Sequence, residues 1–160
     1  LARARELAAS FGLGGRAEFR PGDLADTGLA AASVDAVMCI DAVQFAEPPN
    51  AATRECRRVL RPGGRAVLSC WEPLDRTDDR IPPRLRRMDL YQDLTSAGFT
   101  QVRVSSMPEW RAAERTLWEA ALAEDPGDDR ALVSMQREAT RVLSTFDVMQ
   151  RILATGVAAA

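Results

Sequence analysis

The chain has 160 residues, of which 46% are hydrophobic and 28% are charged, so it is long enough to form one domain with a substantial core. Its net charge of −2 excludes the basic surface that nucleic acids and anionic membranes require. All 21 cationic side chains are arginines, and the lack of lysine and histidine excludes a Schiff-base nucleophile, a Ser-His triad and a histidine-ligated metal from these residues.

The first third of the chain predicts a helix and then a mostly irregular segment. Apolar residues recur at helical spacing over residues 1–11, and Gly12 can end that helix. We expect a short strand near residues 16–20. A loop that contains Asp23 and many small residues follows it.

A strand, a helix and a second strand come next. The apolar run over residues 35–40 ends at Asp41, and Pro48 and Pro49 fit the first positions of a helix over residues 50–60. Pro62, Gly63 and Gly64 then stop the helix before a strand over residues 65–71. Both strands are nearly continuous apolar runs, which is typical of parallel strands that helices cover on both faces.

The rest of the chain predicts alternating elements with one helical hairpin. Residues 110–123 and 130–143 each place apolar side chains on one helical face, and a Pro-Gly turn separates them. In chain order we expect a mobile loop over 72–83, a helix over 87–97, a strand over 101–106, the two hairpin helices, and a final strand over 151–157.

Three motifs, which follow one another along the chain as in that family, resemble the class I S-adenosylmethionine-dependent methyltransferases that act on small molecules. Residues 59–65 resemble the junction between a helix and the fifth strand of that family, and residues 19–24 resemble the end of its third strand. Residues 94–104 are similar to its last long helix and sixth strand. The resemblance implies a doubly wound, mostly parallel, Rossmann-like α/β sheet with a helical lid inserted before the last strand.

The family's glycine-rich cofactor loop, and the acid that ends its second strand, have no counterpart in these 160 residues. We therefore expect one methyltransferase domain over residues 1–160, with about 60 further residues before Leu1 at about 30 per strand-helix unit. That domain would comprise a core over 1–109, a helical lid over 110–147 and the final strand over 148–160.

The resemblance implies S-adenosylmethionine as the cofactor. Asp23 would accept a hydrogen bond from the adenine amino group, and the backbone of Leu24 would donate one to the adenine ring. Cys39 and Ile40 would lie against the amino-acid end of the cofactor. A solvated turn acid is the alternative for Asp23.

Asp41 is the predicted catalytic base, and Glu72 is the alternative to it. A carboxylate is a weak base for a hydroxyl group unless burial raises its pKa, and Asp41 could equally be an ordinary turn residue. Aromatic residues at strand and helix ends are also often plain core residues. The predicted substrate-binding residues are Gln44, Phe45, Trp71 and Trp110.

We expect no metal site, because acids are scattered and the three cysteines are far apart. Cys39, Cys56 and Cys70 lie in apolar segments, so buried structural thiols are expected.

The sequence therefore predicts methyl transfer to a small-molecule acceptor, as O-, N- or C-methylation in secondary metabolism. No nucleic acid or membrane partner is expected, and the location would be cytoplasmic. The hairpin over 110–147 could instead form a homodimer interface. The functional alternative is a non-catalytic, methyltransferase-like binding subunit, and a dinucleotide-binding dehydrogenase domain is a weaker third possibility.

Overall fold

The computed structural model describes residues 1–48 and 50–159. It contains six α-helices and four strands among these residues, together with two 3-10 turns at Val43–Phe45 and Phe146–Val148. The elements are α1 (Ala2–Ser10), β1 (Val34–Ile40), α2 (Ala51–Val59), β2 (Leu60–Pro73), α3 (Pro83–Arg86), α4 (Leu90–Ser96), β3 (Phe99–Ser106), α5 (Pro108–Ala123), α6 (Arg130–Leu143) and β4 (Met149–Ala158).

The four strands form one sheet in the order β1-β2-β4-β3. Strands β1 and β2 are parallel, whereas β4 is antiparallel to both β2 and β3. Three strands therefore run in one direction and β4 runs against them. This topology confirms the predicted α/β fold, and the hairpin of α5 and α6 lies between the last two strands of the chain, as predicted.

Local sequence signals placed several helices accurately. The structure places α6 at Arg130–Leu143, where Asp129 caps it by accepting hydrogen bonds from the backbone N–H groups of Ala131 and Leu132 at 2.8 and 3.2 Å. The predicted helix over 87–97 is shorter, because Asp89 caps α4 by accepting from the N–H of Gln92 at 2.9 Å.

Two predicted elements differ from the structure. Residues 17–20 form no strand, because no described segment pairs with them and an extended segment becomes a strand only through a ladder of hydrogen bonds. Helix α2 begins at Ala51 after Asn50, so Pro48 precedes the helix and does not start it. Pro49 lies outside the described residues.

The core lies on one face of the sheet. Side chains alternate along each strand, so Cys39, Leu68 and Ile152 face the helices, where Leu90 and Leu94 of α4 pack against them. On the opposite face of β1, Met38 is 76% exposed and Ile40 is 51% exposed. The prediction that helices cover both faces is therefore wrong for β1 in the part of the chain that the structure describes.

The three cysteines are free and buried, as predicted. Burial raises the pKa of the Cys56 thiol to about 12 and also raises the pKa values of Cys39 and Cys70. They are therefore neutral core side chains at physiological pH. Within residues 1–48 and 50–159, no helix is long and apolar enough to cross a membrane.

The first part of β2 contains a tightly packed turn, directly after α2. Leu60 pairs with Val34 and Arg65 pairs with Ala36, so residues 61–64 bulge out of the ladder. A Cβ atom on Gly64 would lie 2.8 Å from the backbone oxygen of Arg61 and 3.0 Å from that of Asp35. Only glycine fits this position without moving the backbone.

We predict that Gly64→Ala lowers the free energy of unfolding by about 1–3 kcal/mol, because the added methyl group overpacks the turn against backbone atoms. Gly15→Ala is the control, since a Cβ atom there meets nothing within 4 Å. Urea denaturation of both variants measures the difference. Equal midpoints for the two variants would show that the turn relaxes freely.

Candidate active site

An ion pair lies at the carboxyl end of β1. Asp41 adopts a left-handed conformation, with φ of 53°, and its N–H donates to the carbonyl oxygen of Ser69 at 3.0 Å. Its two carboxylate oxygens accept hydrogen bonds from Nη1 and Nη2 of Arg151 at 2.6 and 2.8 Å. The hydroxyl of Ser69 donates to Oδ1 at 3.1 Å. Asp41 is therefore fixed at the sheet edge where open α/β folds bind ligands.

Arg151 connects this edge to α5. Its side chain is only 6% exposed, and its guanidinium lies 5.3 Å from the ring centre of Trp71. Its Nε is 3.4 Å from Oε2 of Glu114 on α5 without forming a hydrogen bond to it. Oε1 of Glu114 accepts from the indole N–H groups of Trp71 and Trp118 at 3.3 and 3.4 Å. One buried cation thus holds β1, β4 and α5 together.

The ion pair bears on the predicted catalytic role of Asp41. Both of its oxygens already accept hydrogen bonds from Arg151, so a substrate proton could reach neither oxygen without competing with that pair. Asp41 as the base stays a prediction.

Glu72 is buried, which raises its pKa, but its Oε1 accepts from the N–H of Leu90 at 2.7 Å. Glu72 also points to the opposite face of β2 from Trp71, so it supports the start of α4.

A cavity of about 120 Å³ lies beside Trp71 at the same sheet edge. Trp71 and Phe146 meet edge to face, with ring centres 5.2 Å apart. Phe45 lies close to this cavity, because the guanidinium of Arg84 is 5.2 Å above its ring and Arg84 lines the cavity. The residues that line it are Trp71, Arg80, Pro82, Arg84, Leu85, Glu138, Arg141, Val142, Ser144, Thr145, Phe146 and Met149.

The structure brings three of the four predicted substrate-binding residues to this edge. Trp71 lines the cavity, Phe45 contacts Arg84, and Nε2 of Gln44 donates to the carbonyl oxygen of Asp41 at 3.0 Å. Trp110 lies near the start of α5, is 41% exposed and does not line the cavity. Its predicted role therefore has the least geometric support.

The predicted adenine-binding residues line a separate groove of about 460 Å³. Oδ1 of Asp23 accepts from the N–H of Ala25 at 2.7 Å, and in the described structure its Oδ2 has no partner. The side chain of Leu24 packs against the core. Cys39 points into the core and Ile40 away from it, so only their backbone atoms share the edge with Asp41.

Helix α2 holds the wall of this groove. The carboxylate of Glu55 accepts hydrogen bonds from the N–H and hydroxyl of Thr27 at 2.9 and 2.6 Å and from Nε of Arg58 at 2.7 Å. Arg58 also donates to the carbonyl oxygen of Leu29 at 2.6 Å. Arg58, and then Thr27, lower the pKa of Glu55 to about 2. Glu55 and Arg58 therefore clamp the loop that carries Asp23.

Sequence reasoning missed Arg151, Glu114, Glu55 and Arg84. For Arg151 a signal exists, because an arginine within an otherwise apolar strand needs a buried partner. For Glu114, Glu55 and Arg84, helical spacing indicates only that each lies on the polar face of a helix. Their partners lie far away in the sequence.

We predict that Glu55→Gln destabilises the protein by about 1–2 kcal/mol at pH 7, because it removes charged hydrogen bonds to Arg58. The folded pKa of Glu55 lies below its unfolded value, so its contribution is complete above about pH 5 and is lost as the pH falls toward 2. The difference in thermal midpoint between the wild type and the variant should shrink over this range. Glu6→Gln, on α1, is the control, and a difference independent of pH would contradict the prediction.

One family model matches the first part of the chain. A family described as "Methyltransferase domain" matches residues 1–68, a segment that contains the groove, Asp41 and the turn at Gly64. No curated protein matches the chain.

Solved structures share the fold of the whole chain. A protein described as a sarcosine dimethylglycine methyltransferase of Galdieria sulphuraria has 18% identity and a TM-score of 0.80, over 99% of this chain and 65% of its own. The [4+2]-cyclase SpnF has 22% identity and a TM-score of 0.71, over 99% and 62%. The geranyl diphosphate C-methyltransferase of Streptomyces coelicolor A3(2), solved with Mg²⁺, geranyl diphosphate and S-adenosyl-L-homocysteine, has 11% identity and a TM-score of 0.69, over 96% and 58%.

The chain spans about three fifths of the length of these structures. Because one of them is a cyclase, the shared fold does not by itself fix the reaction. The comparisons nevertheless confirm the resemblance seen in the sequence. The chain carries a methyltransferase-domain match over residues 1–68 and, along its described length, has the α/β fold of small-molecule methyltransferases.

Proposed function

We propose that this protein uses S-adenosylmethionine to methylate a small-molecule acceptor. The methyltransferase-domain match over residues 1–68 carries the proposal, because that segment forms both the Asp23 groove and the Asp41 edge. The structure from Streptomyces coelicolor, which contains S-adenosyl-L-homocysteine, supports this choice of cofactor.

The groove offers the polar groups that an adenine ring needs. Oδ2 of Asp23 is an acceptor without a partner among the described residues, and the N–H of Leu24 makes no backbone hydrogen bond there. An exocyclic amino group can donate to the first while a ring nitrogen accepts from the second. These two groups fit adenine, and we assign them to hold it.

When bound, S-adenosylmethionine supplies a methyl group already activated by its sulfonium centre. The protein's task is then to hold the acceptor in line with that group, and orientation alone supplies a large share of the rate. The ion pair of Asp41 and Arg151 fixes the end of β1 for this purpose. The backbone of Cys39 and Ile40 would support the amino-acid end of the cofactor.

We infer that the acceptor is one that needs little help to lose a proton, such as an amine, an acidic hydroxyl or a carbanion-forming carbon. Asp41 is engaged by Arg151, and the chain contains no histidine or lysine to serve as a stronger base. O-, N- and C-methylation in secondary metabolism all fit this inference.

The first test measures cofactor binding by calorimetry. We expect the intact protein, with the cofactor loop that the sequence predicts before Leu1, to bind S-adenosylmethionine and S-adenosylhomocysteine. Asp23→Ala should weaken both by about 1–3 kcal/mol, because the adenine amino group would lose its partner. Asp79→Ala is a control on an exposed loop away from the groove. Unchanged affinity in the Asp23 variant would remove Asp23 from the site.

The same measurement separates the alternatives. A protein that binds neither compound would match the non-catalytic binding subunit and overturn the proposal. A protein that binds the cofactor but transfers no methyl group to any acceptor would use this fold for a different reaction, as the cyclase does.

We also propose that the hairpin of α5 and α6 is a lid over the substrate. Leu117 and Leu122 of α5 are exposed, while α6 lines the cavity beside Trp71. Amide exchange over residues 110–147 should therefore slow when S-adenosylhomocysteine binds, more than in residues 65–71 of β2. Unchanged exchange, together with a dimer by sedimentation that buries Leu117, would make the hairpin a dimer interface.

A further inference from the structure

The cavity beside Trp71 has one apolar wall and one cationic rim. Its apolar side chains come from β2, α6, the 3-10 turn before β4, and β4 itself, and they include Trp71, Val142, Phe146 and Met149. Arg80, Arg84 and Arg141 reach it from three separate segments. Such a combination suits a molecule with an apolar body and a negatively charged end.

Two of the three arginines already have carboxylate partners. Arg80 pairs with Asp78 at 2.7 Å and with Asp147 at 3.3 Å, and Arg141 pairs with Glu138 on the same helix. These pairs neutralise most of the charge on the rim. They leave little attraction for a ligand with several negative charges.

Arg84 is different from the other two. It forms no ion pair with any residue of the described structure, and its guanidinium instead lies 5.2 Å above the ring of Phe45. A guanidinium held over an aromatic face by a cation–π contact keeps its N–H donors free for another partner. Arg84 therefore presents one positive charge, with a planar pair of donors, at the edge of the cavity.

The size of the cavity limits the apolar body. Its volume is about 120 Å³, and an engineered apolar cavity of about 150 Å³ is known to hold benzene. One aromatic ring or an alkyl group of similar size fills it. The edge-to-face pair of Trp71 and Phe146 provides a wall suited to such a ring.

We propose that this cavity binds a small apolar carboxylate, with its ring or alkyl body against Trp71 and Phe146 and its carboxylate on Arg84. The proposal rests on the proposed function, since it assigns this chemical class to the methyl acceptor. A single free guanidinium matches a carboxylate in charge and in bidentate geometry. The cavity also adjoins the predicted site. Trp71 lines the cavity and contacts Arg151, and Arg151 in turn holds Asp41.

The test compares phenylacetate with phenylacetamide, which has nearly the same shape but no charge. Calorimetry on the full chain should show phenylacetate binding at least tenfold more tightly than the amide. Arg84→Gln should remove this preference by weakening phenylacetate at least tenfold and leaving the amide unchanged. Arg103→Gln, an exposed arginine on β3, should behave as the wild type.

A second variant locates the ligand. Val142→Trp fills the cavity and should abolish binding of both compounds while the far-UV circular dichroism spectrum stays that of the wild type. If this variant does not fold, the comparison of Arg84→Gln with Arg103→Gln decides alone. Equal affinities for the two compounds in the wild type, no binding of either at millimolar concentration, or an unchanged preference in Arg84→Gln would each overturn the proposal.

Binding of S-adenosylhomocysteine to the same proteins keeps the two proposals apart. If the wild type and Arg84→Gln both bind that compound but neither binds phenylacetate, the acceptor class is wrong and the methyltransferase proposal stands. If S-adenosylhomocysteine fails to bind while phenylacetate binds through Arg84, the cavity is real and the methyltransferase proposal fails.

Discussion

The buried guanidinium of Arg151 is the constraint on which the candidate site depends. A charge removed from water costs several kcal/mol unless partners compensate for it, so the elements that supply those partners must converge on one point. Asp41 follows β1, Trp71 belongs to β2 and Glu114 belongs to α5. The bidentate pair with Asp41 outweighs the effect of burial and keeps the pKa of Arg151 raised. The cation thus sets where the end of β1, the cavity wall at Trp71 and helix α5 meet.

The ion pair of Asp41 and Arg151 also bears on the kind of chemistry that the site favours. A carboxylate that accepts hydrogen bonds from both ends of a guanidinium is well placed to fix a backbone and poorly placed to remove a proton. Methyl transfer can do without a strong base, because the cofactor supplies an activated methyl group and the protein mainly has to align the acceptor with it. A [4+2]-cyclase has the same fold, so the sheet by itself does not determine the reaction.

The sequence predicted the fold well wherever a local signal determines the structure. Asp129 defines the start of α6, and Pro62, Gly63 and Gly64 form the tight turn in the first part of β2, because caps and turns depend on neighbouring residues. Residues 16–20 were predicted as a strand next to the motif at residues 19–24, but a local motif cannot supply a pairing partner. In the site, Asp41 was expected at a strand end. Its partner Arg151 lies 110 residues further along the chain, a contact that only the antiparallel β4 creates.

The two proposed binding regions are held by the same βαβ unit. Glu55 and Arg58 of α2 clamp the loop that carries Asp23, while Trp71 of β2 forms a wall of the acceptor cavity. The distance between the Asp23 loop and Trp71 is therefore set by α2 and β2, which share one core. Glu114 reaches Arg151 only at 3.4 Å without a hydrogen bond, whereas the bonds to Asp41 are 2.6 and 2.8 Å. The ion pair at the end of β1 therefore does not depend on Glu114. Helix α5 is held near β4 through Arg111 as well, which donates to the carbonyl oxygens of Phe146 and Met149 at 2.6 and 3.0 Å.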